Sequence, residues 1–409
     1  MRGVVGEDLT EDLVERIGRA FAGWGARQVL VGRDTRASGP AFEEALIRGL
    51  YQAGADAVSG GVLPTPAVAL LSKDDCGAVI SASHNPPEYN GVKLFAPGGR
   101  KLVDEEEEAI EQLLDEPPQN GGQVYEGLEV DRQYVDVVCE RFGAALDSLR
   151  IVMDCANGAM YEVGPAVFER LGAHVVIVGN EPDGTNINVG CGATDLSLLQ
   201  KTVRDGEFDL GVAFDGDGDR MLAVDAAGNE VDGDQILAVV ALHLGVELVA
   251  VTRMTNLGFH RLMEERGVEV LTTDVGDRYV AEALRREGGL LGGEQSGHLL
   301  YLRGHSTGDG LVAALLLCQA VVESGRPLAE LAAQMPRLPQ AKTNVPVRSK
   351  EIPASLRSRI EDLVGEGRVV VRPSGTEPVV RVLAEAETEQ KAMNLCARIA
   401  ALVSRELGS

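Results

Sequence analysis

The chain has 409 residues, 44% of them hydrophobic and 25% charged, which is too long for one ordinary core and predicts roughly two to four soluble, globular domains. A formal net charge of −25 argues against a nucleic-acid-binding protein and leaves any anionic substrate to be held by locally clustered arginines and lysines. The longest apolar run, residues 311–318, is too short to span a bilayer and no signal-like segment opens the chain, so the expectation is a cytoplasmic protein with no membrane partner.

After Met1-Arg2-Gly3, Thr10 reads as the N-cap of a helix with Glu11 and Asp12 in its first turn and Leu13, Ile17, Ala20 and Phe21 at helical spacing. A strand follows at residues 28–31. Gly32-Arg33-Asp34-Thr35-Arg36 leaves it, Pro40 opens the next helix and Gly54 closes it. Strand and helix alternate to about residue 124, the pattern of a parallel or mixed α/β sheet. The acidic run 105–108 reads as the solvated first turn of a helix capped by Asp104. One pattern, an amphipathic helix, a glycine and a strand, recurs at residues 51–58, 170–177 and 265–271 and points to three related α/β units.

Beyond Pro336, Pro339 and Pro346 the tail changes character. Leu356, Ile360, Leu363 and Val364 form a helical stripe, strands follow at 369–371 and 379–382, and a last helix carries Leu395, Ile399, Leu402 and Val403 on one face. The predicted fold is α/β: three related mixed α/β domains, residues 1–145, 146–242 and 243–341, plus a small C-terminal α+β domain, residues 342–409. Cys76, Cys139, Cys155, Cys191, Cys318 and Cys396 are scattered at no zinc-like spacing and read as buried free thiols.

Four polar loops carry the chemistry. In the first, the apolar run 78–80 delivers Ser83, His84 and, further on, Lys93 into a turn-rich stretch that, taken alone, reads first as a turn satisfying its own backbone; the three polar loops downstream overturn that reading. In the second, Asp215-Gly216-Asp217-Gly218-Asp219-Arg220, glycines release the backbone so that alternate carboxylates can converge as hard oxygen ligands for Mg²⁺. An EF-hand is excluded by Arg220 and Ala226 at the positions where it needs glycine and glutamate, and a phosphatase-type D-x-D continues with Thr or Val where Gly218 stands. In the third, residues 292–298, Glu294, Gln295 and Ser296 suit sugar hydroxyls or an ordinary polar turn. In the fourth, residues 372–378, Arg372, Ser374, Gly375 and Thr376, with Arg381 beyond, suit a phosphate. Arg33, Arg36, Lys93, Arg220, Arg372 and Arg381 all fall in polar loops, as an anionic substrate requires. His174, His243, His260 and His305 read as surface or core residues, and residues 274–278 as an auxiliary polar loop near the substrate.

Together and in this order, the loops SASHNP, DGDGDR, GGEQSGH and RPSGTEP resemble the phosphoserine, magnesium, sugar and phosphate loops of the α-D-phosphohexomutase family. Within it the chain is most similar to the bacterial branch acting on glucosamine phosphates. Gln295 stands where the phosphomannomutase/phosphoglucomutase branch has methionine, and residues 254–259, 275–279 and 307–311 resemble the glucosamine branch. Two features depart from the pattern. The family opens with F-G-T-D-G-I-R-G whereas this chain begins at Met1-Arg2-Gly3, so either the start codon is misassigned or the first strand is missing, and Arg2, the match to the family's active-site arginine, is expected to be loosely held at a chain end. Gly192-Ala193-Thr194-Asp195 also stands where G-S-T-H is common.

The resemblance implies four domains around a central cleft and interconversion of glucosamine 6-phosphate and glucosamine 1-phosphate, with a sugar 1,6-bisphosphate as intermediate and activator. It implies a phosphoryl group on Ser83, Mg²⁺ held by Asp215, Asp217, Asp219 and the Ser83 phosphate, proton transfer by Lys93 or His84, and Arg220 and Arg2 at the transferring phosphate. Glu294, Gln295 and Ser296 would meet the sugar, and Arg372, Ser374, Gly375, Thr376 and Arg381 the distal phosphate, with a hinge at the proline-rich linker. Phosphomannomutase or phosphoglucomutase activity, an aspartyl phosphatase using Asp215 and a non-catalytic phosphosugar-binding protein are the competing readings. The oligomeric state stays open.

Overall fold

The computed structural model describes residues 1–118, 121–127, 129–365, 367–374 and 378–408. Among these the strands form four sheets, and three of the four repeat one strand order. The first sheet runs β1 (Arg2–Val4), β5 (Tyr89–Ala96), β4 (Cys76–Ile80), β2 (Gln28–Arg33), β3 (Asp56–Val62), β7 (Val124–Glu126), with β6 (Arg100–Lys101) paired to β5. The second runs β12 (Glu230–Val231), β11 (Met221–Asp225), β10 (Leu210–Phe214), β8 (Arg150–Asp154), β9 (His174–Val178), and the third β14 (Glu269–Thr273), β13 (Leu248–Thr252), β15 (Leu291–Gly293), β16 (Leu299–Tyr301).

In each of these sheets a strand parallel to its inner neighbour turns at its C-terminal end into an antiparallel partner: β4 into β5, β10 into β11, β15 into β16. The three helix–glycine–strand repeats end on corresponding strands, β3, β9 and β14. The repeat in the sequence is thus a repeat in topology, and it puts the Ser83, Asp215 and Glu294 loops at the same place in each unit. β4 and β10 are buried along their whole length, as parallel strands covered on both faces require.

The fourth sheet is antiparallel, β17 (Gln340–Pro346), β19 (Val379–Glu385), β18 (Arg368–Pro373). Helices Ala354–Val364 and Glu389–Leu407 close a separate core around Leu356, Val382, Ile399 and Val403. This unit is tied to the third through Glu385, which accepts from Arg368 Nε (2.5 Å), Gln340 Nε2 (2.8 Å) and the Leu257 amide (3.3 Å). Just before β17, Asn256 brackets Leu338, donating to its carbonyl (2.9 Å) and accepting from its amide (3.0 Å).

The largest core joins the second and third sheets through helix Gly310–Ser324, whose sequence is apolar on every face and which is accordingly buried nearly all round. No described helix is long and apolar enough to cross a membrane. Thr10 caps its helix as expected, accepting from the Leu13 amide (3.3 Å).

Two expectations are corrected. Asp104 is the first residue of helix Asp104–Glu111 and does not cap it; Glu106 takes the Val103 amide (3.0 Å) while Asp104 reaches out to Arg278. The first strand is present as β1, antiparallel to β5 with Arg2 opposite Gly91, and the Met1 ammonium donates to the Val92 carbonyl (3.0 Å). Arg2 is therefore held by sheet pairing.

Candidate active site

Where β4 ends, Ser83 takes a left-handed conformation (φ +54°) and is fully buried. Its hydroxyl donates to Asp215 Oδ2 at 2.5 Å and lies 3.3 Å from His84 Nδ1. The Asp215 loop approaches closely enough that a Cβ on Gly216 would come within 2.7 Å of the Ser83 carbonyl oxygen. Glycine is required there to bring the hydroxyl of the first unit onto the carboxylates of the second.

Asp215, Asp217 and Asp219 are all buried and each offers an oxygen within 4.8 Å of the others. Burial, with the neighbouring charges of Asp219 and Asp217, pushes the Asp215 carboxyl up to about 7. Burial works the same way on Asp219, yet Lys93 and His298 outweigh it and hold that carboxyl well below the usual range. Asp217 Oδ1 and Asp219 Oδ1 are buried without a hydrogen-bond partner, while Thr65 Oγ1 donates to the other Asp217 oxygen. Crowded carboxylates with orphaned oxygens are the donor set of a hard divalent cation, so the residues fit a metal.

Lys93, on β5, donates to Asp217 Oδ2 and, at 3.1 Å, to Asp219 Oδ2. Its burial disfavours the ammonium, but the two carboxylates outweigh that and keep it charged. His84 is pushed down to about 4, first by burial and then by the nearby charges of Arg220 and Arg2. Arg220 follows the carboxylates, with its Nε 3.8 Å from Asp219 Oδ1.

His298 closes the sugar loop, a position to which sequence reasoning assigned no role. Its ring lies buried between Asp219 (Nδ1 to Oδ1, 3.6 Å) and Asp277 (Nε2 to Oδ2, 3.1 Å). Burial disfavours its charge, but the two carboxylates prevail and raise it to about 9. Asp277 in turn pairs with Lys101 of the first unit and its neighbour Arg278 with Asp104. The auxiliary loop 274–278 therefore reaches the carboxylate cluster through His298 and locks the third unit to the first.

In the sugar loop, Glu294 is half-buried and Ser296 exposed, with Ser296 Oγ 3.4 Å from Glu294 Oε2. The Gln295 carbonyl accepts from the Gly233 amide (3.1 Å), which fixes the backbone of the turn. Glu294 adds its negative charge to the field that favours the Arg220 guanidinium.

In the fourth unit Arg372 and Arg381 stand opposite each other on β18 and β19, and Asn344 is opposite Arg381 on β17. A cavity of about 290 Å³ lies beside them, lined also by Lys342 and by Met254 of the third unit. Burial and the charges of Arg381 and Arg253 push the Arg372 guanidinium down. Like charges held together in this way are relieved by an anion. Ser374 is buried beside them, whereas Gly375 and Thr376 lie outside the described residues. Arg253 follows β13 and Glu294 follows β15, adjacent parallel strands with Val251 opposite Gly293, so Arg253, whose charge acts on Arg372, and the sugar loop lie at the same end of the third sheet.

Two of the cations grouped by sequence do not face a substrate. Arg33 is paired with Glu43 (2.9 Å), and Arg36 is fully buried against Asp34 and backbone carbonyls. His305 is buried and lies 3.1 Å from Asp309, the second of the surface or core roles the sequence left to it. In the departing segment 192–195, the Gly192 amide donates to Asp154 and Asp195 accepts from Ser197, contacts internal to the second unit.

Four models of the phosphoglucomutase/phosphomannomutase family match the chain: alpha/beta/alpha domain I at residues 1–120, domain II at 132–228, domain III at 232–338 and the C-terminal domain at 330–402. The phosphoglucosamine mutase of Moorella thermoacetica is 45% identical over 99% of this chain and 98% of its own, and that of Desulforudis audaxviator 47% identical over 95% and 93%. Among solved structures, a phosphoglucomutase/phosphomannomutase family protein from Burkholderia thailandensis is similar with a TM-score of 0.86 and 25% identity, covering 99% of this chain and 96% of that one. An Aspergillus fumigatus N-acetylphosphoglucosamine mutase, in complex with GlcNAc-6P and magnesium, shares the fold with a TM-score of 0.69 at 21% identity, covering 84% and 93%. With all four of its units matched in order and near-half identity to curated relatives over almost its full length, the chain belongs to the phosphoglucomutase/phosphomannomutase family, beside members named phosphoglucosamine mutase.

Proposed function

We propose that the chain is an isomerase that interconverts glucosamine 6-phosphate and glucosamine 1-phosphate, using Ser83 as the phosphoryl carrier. The observation that carries this reading is the buried Ser83 hydroxyl, 2.5 Å from Asp215 of a three-carboxylate cluster that Lys93 also bonds, and 3.3 Å from His84. A phosphosugar is the substrate class and a sugar 1,6-bisphosphate the intermediate that also primes the serine. The four units that share the work are residues 1–145, 146–242, 243–341 and 342–409.

Asp215, Asp217 and Asp219, with the phosphate on Ser83, would hold Mg²⁺, which when bound neutralises charge on the phosphoryl oxygens. The rest falls to the chain's own groups. In the forward half-cycle a P–O bond to Ser83 breaks as one forms to the free sugar hydroxyl. Of the two candidates Lys93 and His84, the neutral one is His84: the hydroxyl proton passes to its ring and is available to return when the other phosphoryl group moves back to Ser83, while the Lys93 ammonium adds positive charge beside the carboxylates. Arg220 and Arg2 steady the transferring group, and His298 holds Asp219 in place.

The phosphate that does not react is gripped by Arg372, Ser374, Gly375, Thr376 and Arg381, and an anion there relieves the repulsion between Arg372 and Arg381. Glu294, Gln295 and Ser296 meet hydroxyls that both orientations of the sugar present. Asn256 pins Leu338 to the third unit, so rotation of the fourth unit to release and turn the bisphosphate pivots just beyond it, at Pro339.

The test is a phosphorus NMR time course with Mg²⁺ and catalytic glucose 1,6-bisphosphate, offering glucosamine 1-phosphate, glucose 1-phosphate and mannose 1-phosphate separately. Fast conversion of the amino sugar alone is expected. Preference for glucose or mannose would transfer the chain to the sister activity, and release of inorganic phosphate would mark a phosphatase.

A further inference from the structure

Arg36 leaves β2 two residues after Asp34 and ends up fully buried under the serine loop. A guanidinium has five N–H groups in a rigid fork, and all of them are used. Nε donates to Asp34 Oδ2 (2.9 Å), Nη1 to the carbonyls of Pro86 and Tyr89 (2.9 Å to the latter), and Nη2 to those of Ser83 (3.0 Å) and Asn85 (2.8 Å). Four carbonyls of one loop thus converge on one side chain.

The backbone on the other side of Ser83 is held by the same centre. Its amide donates to Ser81 Oγ (2.8 Å), and Ser81 Oγ donates to Asp34 Oδ2 (2.6 Å), the oxygen that also receives Arg36. The second unit adds one more hand. Asn188, itself left-handed (φ +59°), donates from Nδ2 to the Ser83 carbonyl (2.9 Å) and to that of Asn85 (3.2 Å).

We infer that Arg36 is the positioning residue of the phosphoryl carrier: by saturating the loop carbonyls it holds Ser83 left-handed, so that the hydroxyl alone faces Asp215. Both main-chain groups of Ser83 are spent on this network, which leaves Oγ as its only group free for chemistry. A left-handed conformation is costly for a residue with a Cβ, and it persists because the surroundings over-determine it. Arg36 touches neither substrate nor metal and acts only through Ser83. Its removal therefore slows phosphoryl transfer and leaves phosphosugar binding at Arg372 and Arg381 intact. Lysine offers three N–H groups on a point charge, so Arg36→Lys keeps the charge and loses the fork.

This rests on Ser83 as the carrier, and the experiment separates the two. Full-length protein with Mg²⁺ is phosphorylated by glucose 1,6-bisphosphate, mixed with glucosamine 6-phosphate in a single turnover, quenched, and scored for phosphoserine by intact mass. Misplacement of the reacting group by about 1 Å costs about 10²-fold, so Arg36→Lys is expected to slow transfer by about that factor with KM within about threefold. Asn188→Ala, which removes one donor of several, is expected to show a smaller loss of the same kind. Folded Arg36→Lys that transfers at the wild-type rate, or whose defect lies wholly in KM, would overturn the proposal. Should Arg36→Lys not fold, Asn188→Ala and Ser81→Ala decide, and wild-type transfer in both overturns it. Turnover surviving in Ser83→Ala would refute the carrier itself and the proposal with it, a result no Arg36 variant can mimic.

Discussion

Gly308→Ala tests the His298 contact without touching either carboxylate that holds it. A Cβ at position 308 would lie 2.4 Å from His298 Nε2, 2.6 Å from Cε1 and 2.8 Å from Cδ2. Non-bonded carbon contacts settle near about 3.5 Å, so the ring must shift by about 1 Å. It has no free space for this, because His298 is 3% exposed and fixed between Asp219 and Asp277. A shift of this size at a reacting centre costs about 10²-fold, or about 2.7 kcal/mol of transition-state stabilisation. The expected result is a fall of that order in kcat for glucosamine 6-phosphate, with KM almost unchanged because the distal phosphate site lies in another unit. Adding His298→Asn to Gly308→Ala should then cost little more, since both act on one contact. A folded Gly308→Ala protein with kcat within threefold of wild type would show that the turn yields and the ring does not, and the importance given to His298 would fall.

The distal site and the metal site give two further expectations. Arg372→Ala should raise KM by about 10- to 10²-fold, the cost of a lost charge-assisted hydrogen bond of about 1.5–3 kcal/mol, and slow turnover while phosphoserine remains detectable by intact mass; wild-type kinetics would remove Arg372 from the phosphate site. A chelator should stop turnover, and Mg²⁺ restored to a hundredfold excess over its Kd should add about 2.7 kcal/mol to stability, visible as a higher thermal midpoint that Asp217→Asn blunts. A midpoint indifferent to Mg²⁺ would refute the carboxylate cluster as its site.

The sequence carried the four loops because each is continuous, and it carried the three-fold repeat because helix, glycine and strand recur within a few residues of one another. What it could not show is how distant stretches meet. Arg36 lies among polar loop residues in the sequence exactly as a substrate-binding arginine would, and only the folded chain reveals that its fork is turned inward onto the carbonyls of residues 83–89. His298 was readable as part of a polar turn, but its significance depends on Asp219 and Asp277, which flank it from two separate segments. Asp104 looked like a cap because capping residues are acidic or hydroxylic; the cap position falls one residue earlier, on Val103, whose amide is taken by Glu106 in the first turn. Asn188 and Thr65 gave no local signal at all, since each is defined by a bond to another unit.

Charge decides the order in which such a site can fill. At the catalytic end three carboxylates face Lys93, Arg220 and His298, so a phosphate arriving there without a dication gains little. At the other end Arg372, Arg381 and Lys342 line a cavity with no carboxylate among its described lining residues. In a chain of net charge −25 this is the place where attraction for a phosphate is concentrated. In the reaction proposed above, a monophosphate would therefore dock by its phosphate at Arg372 and Arg381 and present its free hydroxyl to Ser83. After transfer, the bisphosphate carries one phosphate at each end, and only a reversal of the sugar brings the original phosphate to the serine. The fourth unit would have to loosen for that reversal, and among the described residues the side-chain bonds that cross to the third unit include Arg368 to the Thr255 carbonyl and the Leu257 amide to Glu385, which would break while the Asn256–Leu338 bracket holds.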